Sequence, residues 1–180
     1  MMISKIWSAL PSKLPNFISW AVLLVAFAGF LDATYLTAKK FTGSTLNCYF
    51  FGGCDAVNAS PYSNLFGQPL SLYGAVFYLL VLLTTVYYLQ TKNSNASKLL
   101  VFLTAFGFFF AIYTFSLQAF VIKAWCLYCV ISMGTSSVNF ALMLTAWWKD
   151  YFSRSETGKY KKRAGLSACL RAALLVPWSV

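Results

Sequence analysis

The chain has 180 residues, 59% of them hydrophobic and 19% aromatic, with 14 basic against 4 acidic side chains and no histidine. A water-soluble domain of this size cannot hide so much apolar surface, so a soluble globular fold is excluded. Runs of about 20 apolar residues, each able to cross a hydrocarbon layer of roughly 30 Å, account for the composition, and the expected fold class is an all-α integral membrane protein, a four-helix transmembrane bundle.

Residues 1–16 form a short basic segment with Lys5 and Lys13. The first span runs over about 17–38 ("FISWAVLLVAFAGFLDATYLTA") and holds a single charge, Asp32. It is too long for a signal-peptide core of roughly 7–15 residues and no small-residue cleavage site follows, so it is expected to remain as a helix. An outer loop over 39–69 comes next. It is far longer than the roughly 12–15 residues usual for unstructured connections, and it carries the apolar residues Tyr49, Phe50, Phe51, Val57, Tyr62, Leu65 and Phe66. In "ASPYSNLFG", Ser60 is placed as an N-cap and Pro61 as the first helical residue, which predicts a short helix ending near Gly67. The loop is expected to fold over the bundle mouth as a short-helix lid.

Pro69 suits the first turn of the second span, 70–90, which holds no charge. The third span covers 99–122 and the fourth about 125–148, and the basic tail 149–180 follows. Tyr87, Tyr88, Trp125, Trp147 and Trp148 lie near span ends, where amphipathic rings prefer the headgroup level. Of the 14 basic residues only Lys39, Lys40 and Lys123 fall on the loop side; the rest lie on the side of both termini and "TKNSNASK". The expected orientation in the plasma (inner) membrane therefore has both termini cytoplasmic, and the net charge of +10 serves topology rather than nucleic acid. The segment "AGLSACLRAALLVPWSV" is apolar but broken by Arg171 and Pro177, so it is expected on the inner membrane surface or disordered.

Four of the five cysteines fall on the outer, oxidising side: Cys48 and Cys54 in the loop, Cys126 and Cys129 opening the fourth helix. Cys169 stands alone in the tail. At a helix N-terminus the macrodipole and unpaired N–H groups favour a thiolate at Cys126, and Lys123 adds to this. Cys129 lies one turn deeper. Structural disulfides and a four-thiolate zinc site are the alternatives, although a loop as short as C-x-x-C contributes little through unfolded-state entropy. Gly52 and Gly53 before Cys54 either let the loop swing or mark a tight turn. Cys129, Ser132, Ser136 and Asn139 share one face of the fourth helix. Thr104, Gly107, Ala111, Thr114 and Gln118 form a seam on the third. Both stripes should face the bundle, for packing or as a polar lining.

Two segments, "NCYFFGGCDAVNASPYSNLFGQPLSLYGAVFY" and "AWCLYCVIS", resemble the vitamin K epoxide reductase family and specifically its bacterial branch. The shared pattern is a C-x5-C loop, then C-D and S-P-Y, a glycine-containing second helix and a late C-x-x-C, over about residues 17–148. The resemblance implies a bundle that reduces a quinone at its outer mouth with electrons drawn from thiols, with no metal. Under it Cys48 and Cys54 are the shuttle pair, Cys126 exchanges with the loop and Cys129 reacts with the quinone, by thiolate attack through mixed disulfides. Ser60 matches a loop serine near the quinone. Leu70 and Met133 stand where vertebrate members carry asparagine and tyrosine, so hydrogen bonding to vitamin K, and with it epoxide reduction, is altered. Asp32 is either structural or a proton donor to the bound quinone.

Many bacterial relatives carry a fused thioredoxin-like domain, for which the tail is too short. Electrons are therefore expected from a separate extracytoplasmic thioredoxin-fold protein, which this enzyme would return to its disulfide state in oxidative protein folding. The alternatives are a quinone reductase of the disulfide bond protein B type, which places both cysteine pairs in loops, and a non-catalytic scaffold with static disulfides. A channel would need pore-lining charges or broken helices that the spans do not offer.

Overall fold

The computed structural model describes residues 14–43 and 53–174 together with Pro11, and side chains as far as residue 153. Four of its helices are long and apolar enough to cross a membrane. They are α1 (Asn16–Thr42), α3 (Leu70–Thr91), α4 (Ser94–Ser116, continued by a π-helical turn over Leu117–Ile122) and α5 (Leu127–Leu174). Between α1 and α3 lie the short helix α2 (Cys54–Ala59), a 3-10 turn (Pro61–Ser63) and the strands β1 (Asn64–Leu65) and β2 (Gln68–Pro69).

The helix ends follow local chemistry. Gly43, at φ 62°, closes α1 in the left-handed conformation, one turn beyond the expected Ala38. Lys92 takes the same conformation after α3, and Asn93 then caps α4 through Oδ1, which accepts from the Asn95 N–H at 2.9 Å. That cap starts α4 at Ser94 rather than Leu99 and reduces "TKNSNASK" to a tight helix–helix joint. At the far end of the chain α5 continues as helix well past Trp148 into the basic tail.

The packing pairs α1 with α3 and α5, and α4 with α3 and α5, so the helices form a ring of antiparallel neighbours. Large apolar side chains such as Leu24, Phe102 and Phe109 project outward, where lipid rather than water is their natural solvent. The half of the bundle away from the lid is filled by Ile18, Val22, Val81, Tyr88, Leu100 and Met143. There the Tyr88 hydroxyl takes the Leu14 N–H at 2.7 Å, and Ser97 Oγ donates to the Pro11 carbonyl at 2.6 Å. These bonds hold the approach to α1 beneath the bundle. The lid half is less filled and carries the cysteines.

Candidate functional site

The lid is fastened to the bundle at two places. Lys40, near the end of α1, donates its ammonium to the Asn58 carbonyl and to Ser63 Oγ (2.9 Å). Ser63 Oγ in turn donates to the Asn58 and Ser60 carbonyls at 2.7 and 2.8 Å. The second fastening is Gly53, where a Cβ would stand 2.9 Å from both Ala124 Cβ and Trp125 N. Its φ of −96° is open to any residue, so this glycine is required by close approach to another backbone stretch. Gly52 lies outside the described residues.

Ser60 and Pro61 do open a helical turn, but it is a single 3-10 turn ending at Ser63. A helix ending near Gly67 does not form, because the chain reverses in a two-residue hairpin at Phe66 (φ 52°) and Gly67 (φ 79°), pairing Asn64 with Pro69 and Leu65 with Gln68. Two successive positive φ values suit a hairpin turn, and Gln68 and Pro69 then feed α3 directly.

With the lid in place, Cys54, Val57, Leu36 and Cys126 form one buried cluster, against which Tyr128 and Cys129 pack. Cys54 is in a disulfide, whereas Cys126 and Cys129 are free thiols. Cys48 and the side chain of Cys169 lie outside the described residues.

Cys126 occupies the cap position of α5 rather than its first turn. Its carbonyl accepts the Val130 N–H at 3.0 Å, and its own N–H is taken by Gln118 Oε1 at 3.1 Å. The π-helical turn at Leu117–Ile122 carries Gln118 inward, where it is 3% exposed. The thiolate of Cys126 is stabilised first by the S–H of Cys129 and then by the backbone N–H groups of Cys129 and Tyr128. These donors outweigh burial and the charge of Asp32 and lower the Cys126 thiol to about 7. Cys126 precedes the membrane-spanning part of α5 and is 1% exposed, covered by the lid.

Below the pair opens a cavity of about 450 Å³, and Cys126, Cys129, Ser60, Leu70 and Met133 all line it. Its walls are mostly apolar. Gly107 is part of this wall because the ring of Phe77 lies directly against it, in the space any side chain there would need. Tyr78 closes the floor. Its ring crosses α1 at Gly29, where a Cβ would be 2.5 Å from Cε1, and its hydroxyl reaches α5 at the Ser132 carbonyl, Thr135 Oγ1 and Ser136 Oγ, all within 2.8 Å.

Both predicted stripes therefore face inward. Ser132 and Ser136 meet Tyr78, and Asn139 is 3% exposed. On α4, Thr104 and Thr114 bond their own backbone at Leu100 and Phe110, while Gly107, Ala111 and Gln118 line the cavity. Ser60 Oγ donates to the Val57 carbonyl at 2.8 Å, and Ser60 lines the cavity. Asp32 Oδ2 is buried with no hydrogen-bond partner among the described residues. Three contributors escape a sequence reading: Lys40 as lid clamp, Gln118 as cap of the C-x-x-C segment, and Tyr78 as floor. Only Gln118, a lone amide in an apolar span, carried a signal.

The model of the Vitamin K epoxide reductase family matches residues 20–144, well over half of the chain. No curated protein matches it.

Proposed function

The chain belongs to the vitamin K epoxide reductase family, and on that premise we propose that this membrane oxidoreductase reduces a quinone with electrons drawn from thiols and generates disulfides for a separate thioredoxin-fold protein. The observation that carries the reading is the meeting of two free thiols, a neighbouring disulfide cysteine and one cavity. Cys54 is in the oxidised state and shares a buried cluster with Cys126, while Cys126 and Cys129 open onto about 450 Å³ of largely apolar space. Such a cavity suits a flat apolar ring and its tail.

The order of transfer follows from position. A reduced partner gives its electrons to the lid disulfide of Cys54, with Cys48 as the other member of the shuttle pair. Once the quinone has taken the electron pair of Cys126 and Cys129 and left them as a disulfide, a lid thiolate attacks Cys126, the cysteine nearest the lid, and displaces Cys129, the deeper one, which faces the quinone. Ser60, Leu70 and Met133 contact the head group. Leu70 and Met133 offer no hydrogen-bond donor, which favours a simple quinone over an epoxide as acceptor. The lid end is the extracytoplasmic one, because the basic residues collect at the other end, and the termini are cytoplasmic.

The test uses the purified chain in detergent, a reduced thioredoxin-fold protein and a short-chain ubiquinone or menaquinone, with quinone absorbance as the readout. Replacing Cys126 or Cys129 by alanine should abolish reduction, and Cys129→Ala should trap a mixed disulfide on Cys126. Quinone reduction that survives both replacements would refute the reading.

A further inference from the structure

Asp32 is a carboxylate in the middle of an apolar helix, with one oxygen buried and unpartnered among the described residues, and nothing so far explains it. Its depth is fixed by two contacts that bracket it on α1. One turn toward the lid, the Tyr35 ring lies 5.1 Å from that of Tyr128 on α5. One turn in the other direction, Gly29 receives the Tyr78 ring, whose hydroxyl meets Ser132 on α5. Because α1 and α5 run antiparallel, Asp32 faces the part of α5 between Tyr128 and Ser132, which is the level of Cys129. Its charge reaches Cys126, Cys129 and Tyr128. The cavity wall includes Ala33 and Leu36 from the same helix but not Asp32. The carboxylate is therefore not part of the cavity wall. The titratable groups around it are Tyr35 on α1, Tyr78 on α3, and Tyr128 with the two cysteines at the start of α5.

We propose that Asp32 is the proton relay of the C-x-x-C pair, lending a proton to Cys129 when that sulfur leaves a disulfide and taking it back when the sulfur attacks. This rests on the quinone reading above and assigns the carboxylate to the thiol side of that reaction. When a lid thiolate attacks Cys126, the lid–Cys126 S–S bond forms, the Cys126–Cys129 bond breaks, and Cys129 departs with the electron pair. The protonated Asp32 neutralises it. The second lid sulfur then displaces Cys126, closing the lid disulfide and freeing the Cys126 thiolate. In the second half Asp32 recovers its proton as the Cys129 sulfur turns on the quinone, and Cys126 closes the disulfide. Two electrons pass to the quinone, and two protons, equal in number to those lost by the lid dithiol, complete the quinol. Asp32 ends as it began.

The experiment compares wild type, Asp32→Asn and Asp32→Glu in the full chain, with dithiothreitol as reductant and decylubiquinone as acceptor, from about pH 5 to about pH 9. In parallel, iodoacetamide labelling of Cys129 is followed by mass spectrometry in the Cys126→Ser background. With Asn, loss of the negative charge should move Cys129 labelling to lower pH, while quinone reduction falls by roughly a hundredfold, the usual contribution of a positioned acid–base group. Glu should restore most of the rate. More thiolate with less turnover is a combination that a purely structural or electrostatic role does not produce. Turnover within about threefold of wild type in Asp32→Asn, or a Cys129 labelling profile that does not move, would overturn the proposal. If wild type itself passes no electrons to decylubiquinone, the functional reading fails instead, and the labelling profile still decides whether Asp32 faces Cys129.

Discussion

Gly53 lies against the backbone of Trp125, so close that a Cβ on Gly53 would stand 2.9 Å from Trp125 N and 3.0 Å from its carbonyl oxygen. The contact sets the lid cysteine beside the C-x-x-C segment, because Cys54 follows Gly53 and Cys126 follows Trp125. Two distant parts of the chain are thus held in register by the absence of one methyl group. Gly53→Ala should lift the lid at a cost of about 1–3 kcal/mol, the usual penalty of overpacking. Turnover driven through the lid should drop, while direct reaction of Cys126 with a small disulfide reagent should be kept or quickened. Unchanged lid-driven turnover would show that the close contact is not needed.

The other fastening is a pair of charge-assisted hydrogen bonds from Lys40. Lys40→Met keeps the apolar stem of the side chain but removes the donor to the Asn58 carbonyl and Ser63 Oγ. The amides of α2 and the 3-10 turn should then exchange with deuterium at least about fivefold faster, corresponding to the loss of about 1 kcal/mol of local stability. α3 and α4 should be unaffected. Equal exchange in the two proteins would remove the clamp from the account.

Cys126 gives a pH signature. Its alkylation in the reduced protein should reach half its maximal rate near pH 7, because hydrogen bonds from the Cys129 S–H and the first-turn N–H groups favour the thiolate. In Cys129→Ala the principal donor is lost and the midpoint should rise toward the ordinary thiol value of about 8.5. The sign for stability follows from a lowered folded value. The contribution is complete above about pH 8.5, where the unfolded thiol has also ionised, and it fades as pH falls through 7. A Cys126 midpoint that does not respond to Cys129→Ala would contradict the hydrogen bond.

Gln118→Leu leaves the Cys126 N–H buried without its acceptor. An unmet buried donor costs about 1–3 kcal/mol, and the thermal midpoint should fall accordingly. Because the same N–H anchors the start of α5, the Cys126 alkylation profile should broaden. Gln118→Glu, which retains an acceptor, should recover the geometry better than leucine does.

The spans were legible because each apolar run is unbroken and its length matches the bilayer. Their ends were less so, since they depend on single residues. Asn93 moves the start of α4 from Leu99 to Ser94, and Gly43 extends α1 beyond Ala38. The lid hairpin escaped because its first turn position holds Phe66, whereas asparagine, aspartate or glycine is the usual signal for positive φ. The sulfur chemistry was legible in the C-x-x-C spacing and its place at a helix start. Gln118, Tyr78 and Lys40 were not assigned their tasks, because each acts on a backbone or hydroxyl group in another element. Such long-range pairing leaves no periodic trace in one sequence. The same holds for Gly53, whose requirement is created entirely by residues 124 and 125.

The Tyr78 brace, with the densely filled half of the bundle beneath it, also divides the molecule electrically. Thiols and carboxylate lie on the lid side of this partition, so no charge needs to traverse the hydrocarbon during a catalytic cycle. Disulfide formation by this enzyme would then be electroneutral, and its speed in sealed vesicles would be indifferent to an imposed voltage. A turnover rate that tracked the voltage would reveal a conducting route through the partition.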